Sequence, residues 1–275
     1  MFRCRTAIIS SLLAMSVFAP GGSAAAQTQA EPYKPTVGQP GKDAVWVPTS
    51  EAMVEKMLDL ARVTPRDFVM DLGSGDGRMI IAAAKRGARA LGVEYDENLV
   101  AVSKRTAAAE GVAQRAAFVQ GDMFAADISK ATVLALFLLP EHFAKLLPKF
   151  LALPPGTRIV VNTFGIPDWE PDAVEHLETG CDAWCEAKLY LVPARVAGTW
   201  RLGSGSLTLE QTFQRLSGTL TAGERAIPIQ NGKLAGDRIS FSAADRTYEG
   251  RVSGDAIEGT VTSAAGTGPF RARRN

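Results

Sequence analysis

The segment Val69-Met70-Asp71-Leu72-Gly73-Ser74-Gly75-Asp76-Gly77-Arg78 is a short apolar run that turns, through a carboxylate, into three glycines at two-residue spacing. Such a run reads as a buried strand. The residues that follow, roughly Gly77 to Arg86, read as a helix that stops at Gly87. Glycines at 73, 75 and 77 let a ligand approach the backbone and allow torsions that other residues resist. The helix behind them offers unpaired N–H groups at its start.

The spacing and charge of this loop narrow the ligand. A dinucleotide fingerprint places its third glycine three residues after the second. Arg78 stands there, and the third glycine comes one residue early, so a nicotinamide-dependent oxidoreductase fits poorly. Asp71 would repel a pyrophosphate but suits a cationic amino group. Glu94 ends the next apolar run, Ala90-Leu91-Gly92-Val93-Glu94, 21 residues after Gly73. A carboxylate there can accept both hydrogen bonds from a ribose diol. Asp122, in Gln120-Gly121-Asp122-Met123-Phe124 after a third run, is placed to accept from an adenine amino group. Ribose, adenine and a cationic amino-acid end together describe S-adenosylmethionine (SAM).

Outward from this loop the chain alternates. A helix begins at Thr49 or Ser50, with Met53, Met57 and Leu60 on one face. Strands are expected over Phe68–Leu72, Ala90–Glu94, Ala117–Gln120, Thr132–Leu139 and Arg158–Asn162. Helices are expected over Asn98–Glu110 and Glu141–Phe150. Near-continuous apolar strands separated by helices imply a parallel sheet covered on both faces, an α/β sandwich. From about Val196 the helical periodicity ends. Glycine-punctuated runs such as Gly198–Leu202, Ser206–Glu210 and Ile239–Phe241 suggest a small antiparallel all-β domain over 195–275, either barrel or sandwich. Asn231-Gly232 reads as a hairpin turn. Trp200, Phe213, Phe241, Tyr248 and Phe270 are spaced for a barrel core. That domain reads either as a ligand-holding barrel or as a docking module, with Arg271, Arg273 and Arg274 a solvated basic tail.

A length of 275 residues suits two domains. With 46% apolar and 21% charged residues, disorder is excluded for most of the chain. A net charge of +1 gives no electrostatic footprint for nucleic acid. Arg3 and Arg5 precede a mostly apolar stretch, Ala7 to Phe18, then Pro20-Gly21-Gly22 and Ala24-Ala25-Ala26. This is the pattern of a cleaved export signal over residues 1–26; the stretch is too short for a transmembrane span. Its removal changes the net charge from +1 to −1. A Pro/Gly-rich linker over 27–42 follows. The expected location is the periplasm; an unprocessed start would leave the protein in the cytoplasm. Cys181 and Cys185 read as a disulfide across a turn or as two reduced thiols. No histidine or further cysteine lies near them at ligand spacing, so no metal site is expected.

At the loop, Glu94 and Asp122 the chain resembles the class I SAM-dependent methyltransferases, over about residues 43–194. The resemblance implies a Rossmann-like, seven-stranded sheet with the last strand antiparallel, using the segments near Val174–Leu177 and Lys188–Val192. It also implies a cofactor site. Gly73 and Gly75, with Ser74 and Asp76 of the same loop, run along the methionine part and Asp71 orients its amino group. Glu94 takes the ribose, and Asp122 with the Met123 backbone takes the adenine. A narrower likeness rests on Trp46-Val47-Pro48-Thr49, Asp71 to Arg78 with Ala82-Ala83-Ala84-Lys85, Phe137-Leu138-Leu139-Pro140 and Asp168-Trp169. These look like the small protein-lysine methyltransferases of the mitochondrial ATP-synthase c-subunit type and their bacterial relatives. The export signal and the added β domain depart from that group.

The acceptor side is read from the end of the fourth strand. An Asn/Asp-Pro-Pro-aromatic motif, used there by amide- and base-methylating relatives, is absent, which argues against adenine-N6 or glutamine chemistry. Carbonyls at Leu138 and Leu139 can hold an amine next to Pro140, and Glu141 can attract a cation. The alternative for Glu141 is a favourable charge in the first turn of a helix. His142 reads as a general base or as a surface helix position, and Phe164 and Trp169 as pocket walls or core. The acceptor is then a protein lysine or a small molecule. A second reading is an exported, non-catalytic protein that binds SAM or a nucleoside with the same fold.

Overall fold

The computed structural model describes Met1, Phe2 and residues 33–275. The expected export signal from Arg3 onward and the first part of the expected linker lie outside the described residues. The α/β part begins with α1 (Glu51–Leu60). The Ser50 side chain accepts from Met53 N–H at 3.3 Å, and Glu51 complements the helix dipole. Then follow β1 (Phe68–Leu72), α2 (Arg78–Lys85), β2 (Arg89–Glu94), α3 (Glu97–Ala109), β3 (Ala116–Gln120), β4 (Val133–Leu136), α4 (Pro140–Phe150), β5 (Arg158–Asn162), β6 (Ala173–His176) and β7 (Glu186–Leu191).

The sheet order is β3-β2-β1-β4-β5-β7-β6. Strands β1 to β5 are parallel, β7 is antiparallel to β5, and β6 is antiparallel to β7. The order reverses between β1 and β4, which is where ligands bind in open α/β sheets. The apolar strands are continuous because both faces are covered. Val69, Val133, Ala135 and Val160 pack under α1 and α2. Their neighbours Met70, Leu134, Leu136 and Val161 pack under Phe143, Leu146 and Phe150 of α4. The fourth strand stops at Leu136 rather than Leu139, because Leu139 is the N-cap of α4 and Pro140 occupies its first turn.

At the amino-terminal edge of the sheet, buried Asp67 accepts from Thr64 N–H at 2.7 Å and from Thr132 Oγ1 at 2.8 Å, and it pairs with Arg158. Burial alone would raise its pKa, but these hydrogen bonds and the guanidinium hold it below the ordinary carboxylate value.

The second part is a closed barrel of eight strands: β8 (Gly198–Leu202), β9 (Gly205–Thr212), β10 (Arg215–Ala222), β11 (Arg225–Ala235), β12 (Arg238–Ala243), β13 (Arg246–Ser253), β14 (Ala256–Ser263) and β15 (Gly266–Arg274). Neighbouring strands are antiparallel, and β15 returns to pair with β8. Trp200, Leu207, Ile239 and Ile257 fill the interior with Phe241, which stacks on Tyr248 at 4.7 Å.

Three expectations change here. Asn231-Gly232 is not a hairpin turn: it lies inside β11, where the register shifts against both neighbours and Asn231 takes φ +53°. A side chain on Gly232 would meet the Leu216 carbonyl oxygen at 2.5 Å, so the dipeptide makes a bulge. Arg274 is not a solvated tail: it lies over the Trp200 ring at 4.3 Å and donates to the Ala197 and Arg195 carbonyls at 2.8 and 2.7 Å. Phe213 leaves the barrel core and stacks on Trp169 at 5.3 Å. Trp169 is therefore core at the joint between sheet and barrel, not a pocket wall. Gln214 Nε2 donating to the Glu170 carbonyl and Ala194 N–H donating to the Gly236 carbonyl close the same joint.

Candidate active site

The loop after β1 is held by its own backbone. Gly73 and Ser74 N–H groups both donate to the Val93 carbonyl, at 2.8 and 3.1 Å. Gly73, Gly75 and Gly77 take φ of +76°, +55° and +82°, the left-handed region open chiefly to glycine. Two of them are also closely approached. A Cβ on Gly75 would meet Trp46 Nε1 at 2.5 Å, and one on Gly77 would meet Ser103 and Phe118 at 2.7 Å.

Three carboxylates face the cleft from successive strand ends. Asp71, on β1, is buried at 7% exposure, and no hydrogen-bond or ion-pair partner reaches its carboxylate among the described residues. Burial pushes its pKa well above the ordinary value, and the negative charges of Glu94 and Asp76 add to the effect. Glu94, on β2, accepts from Gly75 N–H at 2.8 Å with Oε2 and from Asp96 N–H at 3.0 Å with Oε1. Each oxygen keeps a lone pair for a further donor. Asp122 follows β3 and accepts from Phe124 N–H at 2.8 Å and from Lys42 Nζ at 2.7 Å. The Lys42 hydrogen bond, ahead of the Phe124 N–H, holds Asp122 below the usual carboxylate value and raises Lys42 in turn.

These residues line two adjoining hollows. One runs along Glu94, Asp122, Met123, Leu138 and His142. The other is bordered by Asp71, Ser74, Asp76 and Thr49. Gly73, Trp46 and Phe137 border both. The remaining loop residues are turned to local tasks. Asp76 pairs with Arg78 at 2.6 Å, and Arg78 donates to the Thr49 carbonyl at 2.8 Å, tying the loop to the start of α1. The Ser74 hydroxyl is buried with no protein partner, in space left by Gly92.

On the acceptor side the structure separates the candidates. Leu138 is buried and faces the first hollow. Pro140 and Glu141 are exposed at the start of α4 and border neither hollow, so Glu141 serves as a charge in the first helical turn. His142 is not a surface residue. It is 3% exposed, meets Phe124 edge-on at 5.9 Å, and its Nδ1 has no protein partner. Its place is beside Met123 and Leu138, in the first turn of α4. Phe164 stacks on Phe137 at 6.1 Å.

Sequence reasoning missed the role of the segment before α1. Residues 33–42, expected as linker, turn back on themselves. Gly38 N–H donates to the Trp46 carbonyl and Trp46 N–H to the Gln39 carbonyl, both at 2.9 Å. This brings Lys42 onto Asp122 and within 4.8 Å of the Tyr95 ring. The signal was present in the Trp46-Val47-Pro48-Thr49 match, which lies next to that segment. Cys181 and Cys185 form a disulfide, with Cα atoms 5.7 Å apart in a non-helical loop. Among the described residues no helix is long and apolar enough to cross a membrane, and no group of three or more His, Cys, Asp or Glu is placed to hold a metal ion.

A buried carboxylate that lacks a cation, a carboxylate with free lone pairs beside a glycine cradle, and a third at the next strand end fit an adenosyl amino acid with a positive charge. Known proteins point the same way. A family profile described as the ANTKMT methyltransferase domain matches residues 71–173. A protein-lysine N-methyltransferase from Saccharolobus islandicus is 43% identical over 138 residues, covering 49% of this chain and 86% of the relative. The Homo sapiens lysine N-methyltransferase for the ATP synthase c-subunit is 34% identical over 130 residues, 47% of this chain; the match spans only 55% of that protein. Among solved structures, an RNA methyltransferase from Salinibacter ruber, in complex with S-adenosyl-L-homocysteine, is 41% identical. It covers 55% of this chain and 96% of its own, with a TM-score of 0.51. With the topology, the glycine loop and the carboxylates in agreement, the chain belongs to the SAM-dependent methyltransferases of the ANTKMT type.

Proposed function

We propose that this enzyme methylates the side-chain amine of a protein lysine. Two things support that acceptor. The relatives that match over the site include lysine N-methyltransferases. The fourth strand also leads into Phe137-Leu138-Leu139-Pro140, which offers apolar surface and backbone carbonyls but no polar side chain to hold an amide or a base. The observation that carries the cofactor side is buried Asp71, whose uncompensated carboxylate suits the amino group of a SAM methionine end.

When bound, SAM supplies an electrophilic methyl group on a sulfonium, which an amine lone pair displaces in line as the thioether leaves. The chain's task is to bind, orient and exclude water. In this reading Glu94 accepts from the ribose diol, Asp122 and the Met123 backbone meet the adenine, and Asp71 takes the amino group with Gly73, Ser74, Gly75 and Asp76 shaping the loop. Trp46 and Phe137 border the junction of the two hollows, where water must be kept out. Leu138 and the Leu139 carbonyl are the acceptor-side groups. The amine must arrive without its proton, and an apolar approach favours that by lowering its pKa.

Residues 1–26 serve in this proposal as an export signal, and the Cys181–Cys185 disulfide suits an oxidising compartment. N-terminal sequencing of the protein from fractionated cells should find Gln27 or a near neighbour in the periplasm; an intact Met1 in the cytosol would refute export. The acceptor is tested with methyl-labelled SAM, a lysine-containing peptide library and total RNA offered together. Label on lysine Nζ, located by fragmentation mass spectrometry, is expected. Label confined to RNA or to a small molecule would overturn the lysine reading.

A further inference from the structure

The loop between β6 and β7 is not used by the cofactor site, yet it rises beside it. Strand β7 is antiparallel to β5, with Ala187 level with Asn162, so its first residue, Glu186, lies just past the end of β5 at the carboxyl edge of the sheet. The loop therefore stands at the edge where β4 delivers Phe137. Leu177 N–H donates to the Cys185 carbonyl at 2.9 Å, and the Cys181–Cys185 disulfide closes a second, tighter ring inside that turn. Trp184 is held within it at φ +59°, a left-handed conformation that a bulky residue rarely adopts.

Trp184 is 42% exposed, one of few large apolar side chains so placed among the described residues. It does not stand alone. Its ring lies 5.8 Å from that of Phe137, tilted by 59°, and Phe137 stacks on Phe164 with an interplanar angle of 11°. Three aromatic rings thus form a corner that is continuous, through Phe137, with the junction of the two cofactor hollows. The charge of the loop matches. Residues 177–185 hold Glu178 and Asp182 and no lysine or arginine, while Glu186, at the start of β7, is already paired with Lys188 and His176. Glu178 and Asp182 are exposed and make no ion pair among the described residues. An aromatic corner carried in part by an acidic loop attracts an alkylammonium through the ring quadrupoles and through charge.

We infer that Phe137, Phe164 and the disulfide-held Trp184 form the subsite that receives the alkylammonium of the acceptor, and that the disulfide is what presents Trp184 to it. This rests on the lysine reading above and adds Phe164 and Trp184, which that reading does not use as acceptor contacts. Trp184 is here a positioning residue for the acceptor. Opening the disulfide frees the loop and withdraws one wall while leaving the glycine loop and the three carboxylates untouched.

The test uses the full chain saturated with S-adenosyl-L-homocysteine, titrated calorimetrically with Nα-acetyl-trimethyllysine methylamide and with its uncharged isostere, in which carbon replaces the ammonium nitrogen. The charged probe should bind tighter than the isostere by roughly five-fold or more. Trp184→Ala should abolish that preference and Trp184→Tyr should keep most of it. Chemical reduction, and the double substitution Cys181→Ser/Cys185→Ser, should weaken the charged probe as Trp184→Ala does. S-adenosyl-L-homocysteine affinity, measured on the same samples, should stay at the wild-type value and certifies that each variant is folded. Equal binding of probe and isostere, wild-type binding by the double serine variant, or no binding of the charged probe to the loaded wild type would each overturn the subsite. The labelling experiment scores the acceptor separately. Probe binding without label on lysine leaves the aromatic subsite standing and removes the lysine reading; label on lysine without probe binding does the reverse.

Discussion

The sandwich and the barrel treat buried polar atoms in opposite ways. Among the described residues, the buried side-chain atoms with no protein partner are Ser74 Oγ and His142 Nδ1, beside the two hollows of the sandwich, and Trp169 Nε1, at the joint with the barrel. The barrel buries a tryptophan too, but Trp200 Nε1 donates to the Val196 carbonyl at 2.7 Å. The sandwich also keeps Asp71 buried beside two like charges, where the cost falls on the ionised form. The barrel pairs Arg251 with Asp237 and Arg274 with Asp255 at its surface. An under-satisfied interior is costly to stability and useful for ligand capture. The candidate binding groups thus lie in one part, and a more fully satisfied scaffold makes the other.

That contrast can be broken or sharpened by substitution. The largest effect is expected in the barrel. Trp200→Ala removes a fully buried ring and should cost about 3–5 kcal/mol of stability, measured by denaturant unfolding, with SAM affinity unchanged where the protein is folded. A matching loss of SAM affinity would mean that the two parts are not independent. Glu94→Ala should act the other way, weakening SAM binding by about 1.5–3 kcal/mol, the scale of charge-assisted hydrogen bonds, as read by calorimetry. Unchanged affinity would remove the ribose assignment. Asp71→Asn should separate the two quantities within one residue: the ligand-free protein becomes more stable because a buried charge is gone, while SAM affinity falls by about 1 kcal/mol.

The smallest effects are those of pH. Asp71 has a raised pKa in the ligand-free protein, and a cationic ligand favours its ionised form. SAM affinity should therefore climb as pH rises toward that raised value and level off above it. The same shift makes the ligand-free fold lose stability as pH rises from the ordinary carboxylate value through the raised one. Asp67 has the opposite sign: its lowered pKa contributes stability that is present above the unfolded value and lost as pH falls through the folded one. Asp71→Asn should flatten the affinity profile, and Asp67→Asn should flatten the acid limb of the stability profile. An affinity profile that Asp71→Asn leaves unchanged would show that another group titrates.

Much of the cofactor side was legible because its constraints are local. A glycine loop between strand and helix needs positive φ at fixed positions, and carboxylates at the ends of successive strands follow from the alternation itself. The sheet order beyond β5 came only by resemblance, since β6 is mostly exposed and β7 only partly buried, so neither reads as a continuous apolar run. What escaped depends on distant partners. Lys42 sits in a proline- and glycine-rich stretch with no periodicity, and nothing nearby in sequence says that it meets Asp122. His142 looks like a polar surface position on an amphipathic helix, but α4 turns that face toward Phe124. Asn231-Gly232 has turn chemistry, yet the pairing of β11 with strands on both sides converts it to a bulge. Trp169 and Phe213 each looked like features of separate sites and proved to be one stacked pair.

The seam between β8 and β15 has a consequence for the time order of folding. All pairings within β8 to β15 except this one join neighbours along the chain, so each hairpin can form soon after its strands exist. The seam joins Trp200 to Arg274 and must wait for the whole intervening chain. Closure of distant strands is intrinsically slow. The sandwich, whose strands end at Leu191, can therefore close while β8 still presents an open edge, and open edges invite pairing with other chains. The vulnerable interval of this protein is the wait for Arg274 to reach β8, and it falls on the barrel rather than on the methyl-transfer site.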